Sequence, residues 1–158
     1  MSELLQREDV AVSVDNDVVV ITVGKHAARF SYHSAFLIAQ RLRLSASVAG
    51  RLSGCTTQEV ADMKRQPVHP EQLSEVILDD GHGSHDGHPW EVRTEGELVV
   101  FQISELIIRW AAPAAMQIAA WVREAGRQGK RWAGDTSKTL NVAGILTDAN
   151  ANARLNQR

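Results

Sequence analysis

Cysteine is nearly absent: Cys55 is the only one in 158 residues. No intramolecular disulfide can form, and a Cys-based zinc site lacks its usual partners. Long apolar runs are also missing. No stretch approaches the ~18 consecutive apolar residues that a spanning helix needs. The first nine residues are polar and of mixed charge, without the apolar centre of a secretory leader. An excess of either charge is absent too, the formal net charge being -2. The whole molecule therefore exerts no pull towards nucleic acid or anionic lipid. The familiar catalytic signatures are missing: no phosphate-binding Walker loop, no Gly-rich dinucleotide turn, no nucleophile elbow and no His-Glu-x-x-His. On this reading the chain is a non-enzymatic protein of the cytoplasm or of a large assembly such as a virion, not an exported one.

What is present is a globular balance, 44% hydrophobic and 23% charged, enough to bury a core. The apolar positions also repeat. Aligning Arg29-Phe30 with Arg109-Trp110 sets an offset of 80 residues, and the register holds without a gap from Val10 to Gly54 and from Trp90 to Gly134. Val19-Val20 meets Val99-Val100, Ala35 meets Ala115, Ile38-Ala39 meets Ile118-Ala119, and Arg43 meets Arg123. The identities fall on the apolar face and at the joints, as a shared fold requires.

Within one unit, residues 10–14 alternate apolar and polar, which reads as a half-buried strand. Asp15-Asn16-Asp17 is turn chemistry. Residues 18–23 form a β-branched run suited to a central strand, and residues 27–30 form a short third one. Ser31 or Ser34 offers a helix N-cap. Ala35, Ile38, Ala39, Leu42, Ala49 and Leu52 then fall at helical spacing, with Gly54 as the stop. The second unit repeats this pattern, and Gly126 and Gly129 are expected to weaken the end of its helix. The expected fold is α+β: an internal duplication of a ββ(β)α unit related by a pseudo-twofold, at residues 10–54 and 90–134. Residues 55–89 form a helical connector with a His-rich loop, and residues 135–158 an extended C-terminal arm. In the connector, Thr56 and Glu59 make a capping box, and residues 70–78 read as a second short helix with Pro70 in its first turn.

Four groups of residues are candidates for function. His82, His85 and His88 sit in a Gly-rich loop beside Asp79, Asp80 and Asp86; imidazoles and carboxylates suit a divalent metal, and no other cofactor is expected. Arg123, Arg127, Lys130 and Arg131 can share a helical face, a phosphate-type electrostatic surface, with Arg41, Arg43 and Arg51 on the equivalent helix. Trp121 replaces Arg41 of the first unit and is a candidate contact residue, whereas Trp110 and Trp132, replacing Phe30 and Leu52, are expected in the core. Val142, Ile145 and Leu146 form an apolar patch in the arm. Arg29 and Arg109, at the strand-to-helix joints, are expected to make a structural salt bridge or a bond to a loop carbonyl, with an anion site at the following helix N-terminus as the functional alternative.

The favoured role is a subunit of a homo-oligomer or larger protein assembly, contacting its neighbours through the arm. The alternatives are a small regulator or inhibitor that binds a protein or nucleic-acid target through the basic helix faces, and a metal-binding protein using the histidine loop.

Overall fold

The computed structural model describes residues 4–63, 72–78, 83–84, 89–104 and 106–147. The order along the chain is β1 (Leu4–Asp15), β2 (Val18–Val23), β3 (His26–Ser31), α1 (Tyr32–Leu52), α2 (Thr57–Asp62), β4 (Gln72–Leu78), β5 (Gly83–Ser84), β6 (Trp90–Glu95), β7 (Leu98–Ile103), β8 (Leu106–Ala111) and α3 (Ala112–Thr147). The strands form one sheet in the order β5-β3-β2-β1-β4-β8-β7-β6. Neighbouring strands run antiparallel except β3 and the two-residue β5. The fold is mixed α/β, with both long helices packed on the sheet.

Each three-stranded meander follows from its local sequence. Val10, Val12 and Val14 on β1 stand opposite Val23, Ile21 and Val19 on β2, so the period-2 apolar set of each strand meets its counterpart on one face. Phe30 and Ala28 on β3 extend that face. The second meander does the same with Val99, Phe101, Ile103, Leu106, Ile108 and Trp110. The burial patterns of β2 and β7 are identical, as are those of β3 and β8. The tight turns match as well. Asn16 (φ 60°) and Gly96 (φ 58°) stand eighty residues apart, as do Gly24 (φ 58°) and Ser104 (φ 53°). Left-handed backbone thus recurs at equivalent corners, although only one member of each pair is glycine.

Two expectations for the connector part company. The capping box is present: Thr56 Oγ1 accepts from the Glu59 N–H, and Glu59 Oε1 accepts from the Thr56 N–H. The second short helix, expected over residues 70–78, is instead strand β4, inserted between the two meanders. It pairs with the first half of β1 through Leu4↔Leu78 to Val10↔Gln72, and with β8 through Glu75↔Arg109 to Ile77↔Ile107. A seven-residue segment this short carries no decisive period. Unpaired backbone on both neighbours selects the extended form. β1 likewise begins at Leu4, well before the alternation at Val10, because β4 gives its first half a partner.

Ser31 caps α1, its hydroxyl accepting from the Ser34 N–H. At the other end Gly54 adopts φ +93°, and the N–H of Cys55 returns to the Gly50 carbonyl, closing the helix as a left-handed glycine stop does. Cys55 itself is a half-buried free thiol packed at the margin of the core.

Each long helix lies chiefly on the strands of the other meander: α1 on β6 and β7, α3 on β1 and β2, with the two helices in extensive mutual contact. In the middle of this shared core Phe30 meets Phe101 edge to face, and Phe101 stacks on Trp110. Neither meander with the helix that follows it therefore holds a finished core alone.

The helix α3 departs from expectation. Gly126 and Gly129 do not weaken it into an ending; it runs through both to Thr147. Their role is close approach. A Cβ on Gly126 would lie 3.2 Å from the ring of Phe36, and one on Gly129 would lie 3.0 Å from the carbonyl oxygen of Asp17. The C-terminal arm, expected to be extended, is helical over residues 135–147, while residues 148–158 lie outside the described residues. Trp132 and Leu52, expected in the core, are exposed, at 43% and 60%. Trp132 belongs to an exposed stretch: residues 130–134 are exposed apart from half-buried Ala133.

The charged residues of the strands are tied locally. Arg29 reaches Asp15 at 2.7 Å, the structural ion pair expected of it. Its counterpart Arg109 does not match it: it stands opposite Glu75 in the sheet register, and its Nε is buried without a hydrogen-bond partner among the described residues. On the edge strand β6, Arg93 bonds Glu95 at 2.7 Å, with Glu91 and Gln102 also in reach. The Glu95 bond chiefly raises the guanidinium pKa above its ordinary value. Charges on an edge strand discourage pairing with another sheet.

Candidate functional site

The helix pair that closes the core also encloses a groove. Phe36, Ala39, Gln40 and Arg43 of α1 face Met116, Ala119, Ala120, Arg123 and Arg127 of α3 around a space of about 560 Å³. Four of the lining pairs, Phe36/Met116, Ala39/Ala119, Gln40/Ala120 and Arg43/Arg123, lie eighty residues apart. The three alanines leave room that larger side chains would fill. Ala39, Met116 and Ala119 are buried and form the floor; the arginines are exposed at the mouth. Among the described residues no carboxylate lines the groove. Among the described residues neither Arg43 nor Arg123 has an ion-pair partner, whereas Arg127 approaches Glu124 at 3.5 Å.

The structure thus regroups the basic residues. Arg123 and Arg127 share the groove with Arg43 from the other helix. Lys130 and Arg131 lie beyond it and are exposed, and Arg131 also leans on Glu124, at 3.5 Å. The single stripe read from the sequence is therefore divided between a groove and a solvated face.

Trp121 is half-buried and packs against the core cluster. Val142, Ile145 and Leu146 fall within the C-terminal part of α3, at positions whose side chains lie outside the described residues. His82, His85 and His88 also lie outside the described residues. Among those described, no group of three or more His, Cys, Asp or Glu is placed to hold a metal ion, and no helix is long and apolar enough to cross a membrane.

A second surface was not anticipated. Leu37, Leu44, Val48 and Leu52 on α1 are exposed by 53%, 53%, 51% and 60%. Their spacings of seven, four and four residues place them along one line of the helix. That line lies away from the face holding Ala35, Ile38, Leu42, Ala46 and Ala49, which is buried. The signal was present in the sequence as a second apolar stripe on the same helix. One continuous list of apolar positions concealed it, because Leu52 was assigned to the core stripe. The positions eighty residues on, in α3, are Gln117, Glu124, Gln128 and Trp132, so the ridge is confined to α1.

Compared with models of known protein families, with curated proteins and with solved structures, the chain matches none.

Proposed function

We propose that this chain is a non-enzymatic interaction subunit, built on a duplicated ββ(β)α unit with pseudo-twofold symmetry, that assembles with copies of itself. The duplication is supported by the eighty-residue recurrence of sequence identities, burial patterns and left-handed corners. It is supported further by the reciprocal packing of each helix on the other unit's strands. β4 and the longer β1 are then additions to the repeat, since they supply the seam between the two meanders.

The observation that carries the assembly reading is the ridge Leu37-Leu44-Val48-Leu52. Large apolar side chains left exposed along one line of a helix suit a contact site. Its occupant is the C-terminal segment of α3 from a second copy. The ridge spans about 22 Å from Leu37 to Leu52, and residues 135–147 as helix span about 20 Å, at 1.5 Å per residue. That segment carries Leu140, Val142, Ala143, Ile145 and Leu146 with only Asp135 and Lys138 charged. An apolar helix face lying on an apolar surface is a recurrent recognition mode.

Light scattering on three proteins tests the reading: the full chain, a chain ending at Gly134, and the full chain with Leu44→Glu and Val48→Glu. The expected result is a defined oligomer for the first and monomers for the other two. Three monomers, or three oligomers of one size, would overturn it. The alternative of phosphate recognition through the α3 basic face is weakened by Glu124, which lies 3.5 Å from both Arg127 and Arg131.

A further inference from the structure

We propose that the groove between α1 and α3 is a binding site for a small amphipathic anion: one carboxylate or phosphate head on a short aliphatic or aromatic body. This inference is independent of the assembly reading, because the groove and the α1 ridge are lined by different residues.

Three features determine the ligand class. The first is size. A volume of about 560 Å³ lies within the ~300–1,000 Å³ range of small-molecule sites. The second is the floor. Phe36, Ala39, Met116 and Ala119 offer apolar surface between two helices, and covering it releases water from that surface. A bare inorganic ion would leave it wet. The third is the uncompensated charge at the mouth. Arg7, Arg29, Arg93, Arg127 and Arg131 each reach a carboxylate of the protein. Arg43 and Arg123, like Arg41, Arg51 and Arg109, reach none among the described residues, and they alone of these five line the groove, with no acid among its described lining. They come from opposite walls at matched positions of the two units, one guanidinium from each helix. A guanidinium presents a planar fork of N–H donors that fits carboxylate and phosphate oxygens. A head group held at the mouth between Arg43 and Arg123, with its body laid on the alanine floor, uses all three features together.

The exposed positions of both arginines make the test clean, since their removal leaves the core untouched. Octanoate, octyl phosphate and octanol are titrated into the full chain by isothermal calorimetry, alongside inorganic phosphate. The same titrations are run on Arg43→Ala/Arg123→Ala and on Ala120→Trp, which narrows the groove without altering charge. Circular dichroism confirms that each variant is folded. Octanoate or octyl phosphate is expected to bind once per chain, with octanol and inorganic phosphate each at least about tenfold weaker. Both variants are expected to lose at least about tenfold in affinity for the amphiphile. The ratio between octanoate and octyl phosphate identifies the preferred head. The proposal is overturned by the absence of binding by either amphiphile, by octanol binding as tightly as octanoate, or by full affinity in the double arginine variant.

Discussion

Ser74 on β4 accepts a hydrogen bond from the indole Nε1–H of Trp110 on β8, with both side chains buried. This bond crosses the seam at which the connector strand joins the second meander. It meets the only polar requirement of a tryptophan that is 1% exposed, and a buried donor without a partner is costly.

Replacing Ser74 with alanine strands that indole N–H. The expected loss is about 1–3 kcal/mol, read from urea unfolding with an unchanged slope. Trp110→Phe removes the donor together with part of the core, so the Ser74→Ala/Trp110→Phe double variant should lose less than the sum of the two singles. Additive losses would mean that the bond contributes nothing of its own.

The glycines of α3 should respond in opposite directions. Alanine is favoured over glycine inside a helix by about 1 kcal/mol at each position, so the surroundings decide the outcome. At Gly129 the new Cβ meets backbone of the β1–β2 turn, 3.0 Å from the Asp17 carbonyl oxygen. Gly129→Ala should therefore be destabilising by about 1 kcal/mol or more. At Gly126 the neighbour is the half-buried ring of Phe36, which can rotate away, and the change should be close to neutral. At Gly134 nothing lies within 4 Å. Gly134→Ala should add about 0.5–1 kcal/mol to local helix stability, visible as increased helical ellipticity. No increase there would argue against a helix continuing into residues 135–147.

Ser104 occupies left-handed backbone that its counterpart Gly24 adopts without a side chain. Ser104→Gly relieves a steric cost of about 1–2 kcal/mol and loses part of it to the greater freedom of the unfolded chain. A net gain of a few tenths to about 1 kcal/mol is expected from thermal or urea unfolding. Gly24→Ala should do the reverse, because an alanine there takes left-handed backbone and the flexible Glu8 side chain has to move off its Cβ. A loss of stability in Ser104→Gly would show that the corner does not need left-handed backbone.

The α1 ridge separates assembly from folding. Leu44 and Val48 are about half exposed in the isolated chain, at 53% and 51%, so Leu44→Glu/Val48→Glu should leave the unfolding free energy of the monomer within about 0.5 kcal/mol per site. The same pair should abolish the oligomer. If unfolding becomes strongly weaker in the monomeric truncated chain as well, the two residues belong to the core, and the ridge is not a free surface.

The two meanders and the first helix are legible in local sequence. The period-2 valines of β1 and β2, the turn residues around Asn16, the cap at Ser31 and the stop at Gly54 are all local. Each is decided by chemistry within a few residues, and the recurrence of the pattern eighty residues on is visible in the sequence alone. What lies between and across the meanders depends on contacts distant in sequence. Residues 72–78 are a strand because β1 and β8 both present backbone to them, and a seven-residue segment carries too little period to announce that. Gly126 and Gly129 stay inside a helix because Phe36 and the β1–β2 turn press against it, a fact of contact that no propensity contains. The basic residues were legible as a stripe along one helix. Their division into a groove and a solvated face depended on Arg43 arriving from the other helix. Local rules act over one or two turns of chain, whereas a site built from two helices depends on where the sheet places them.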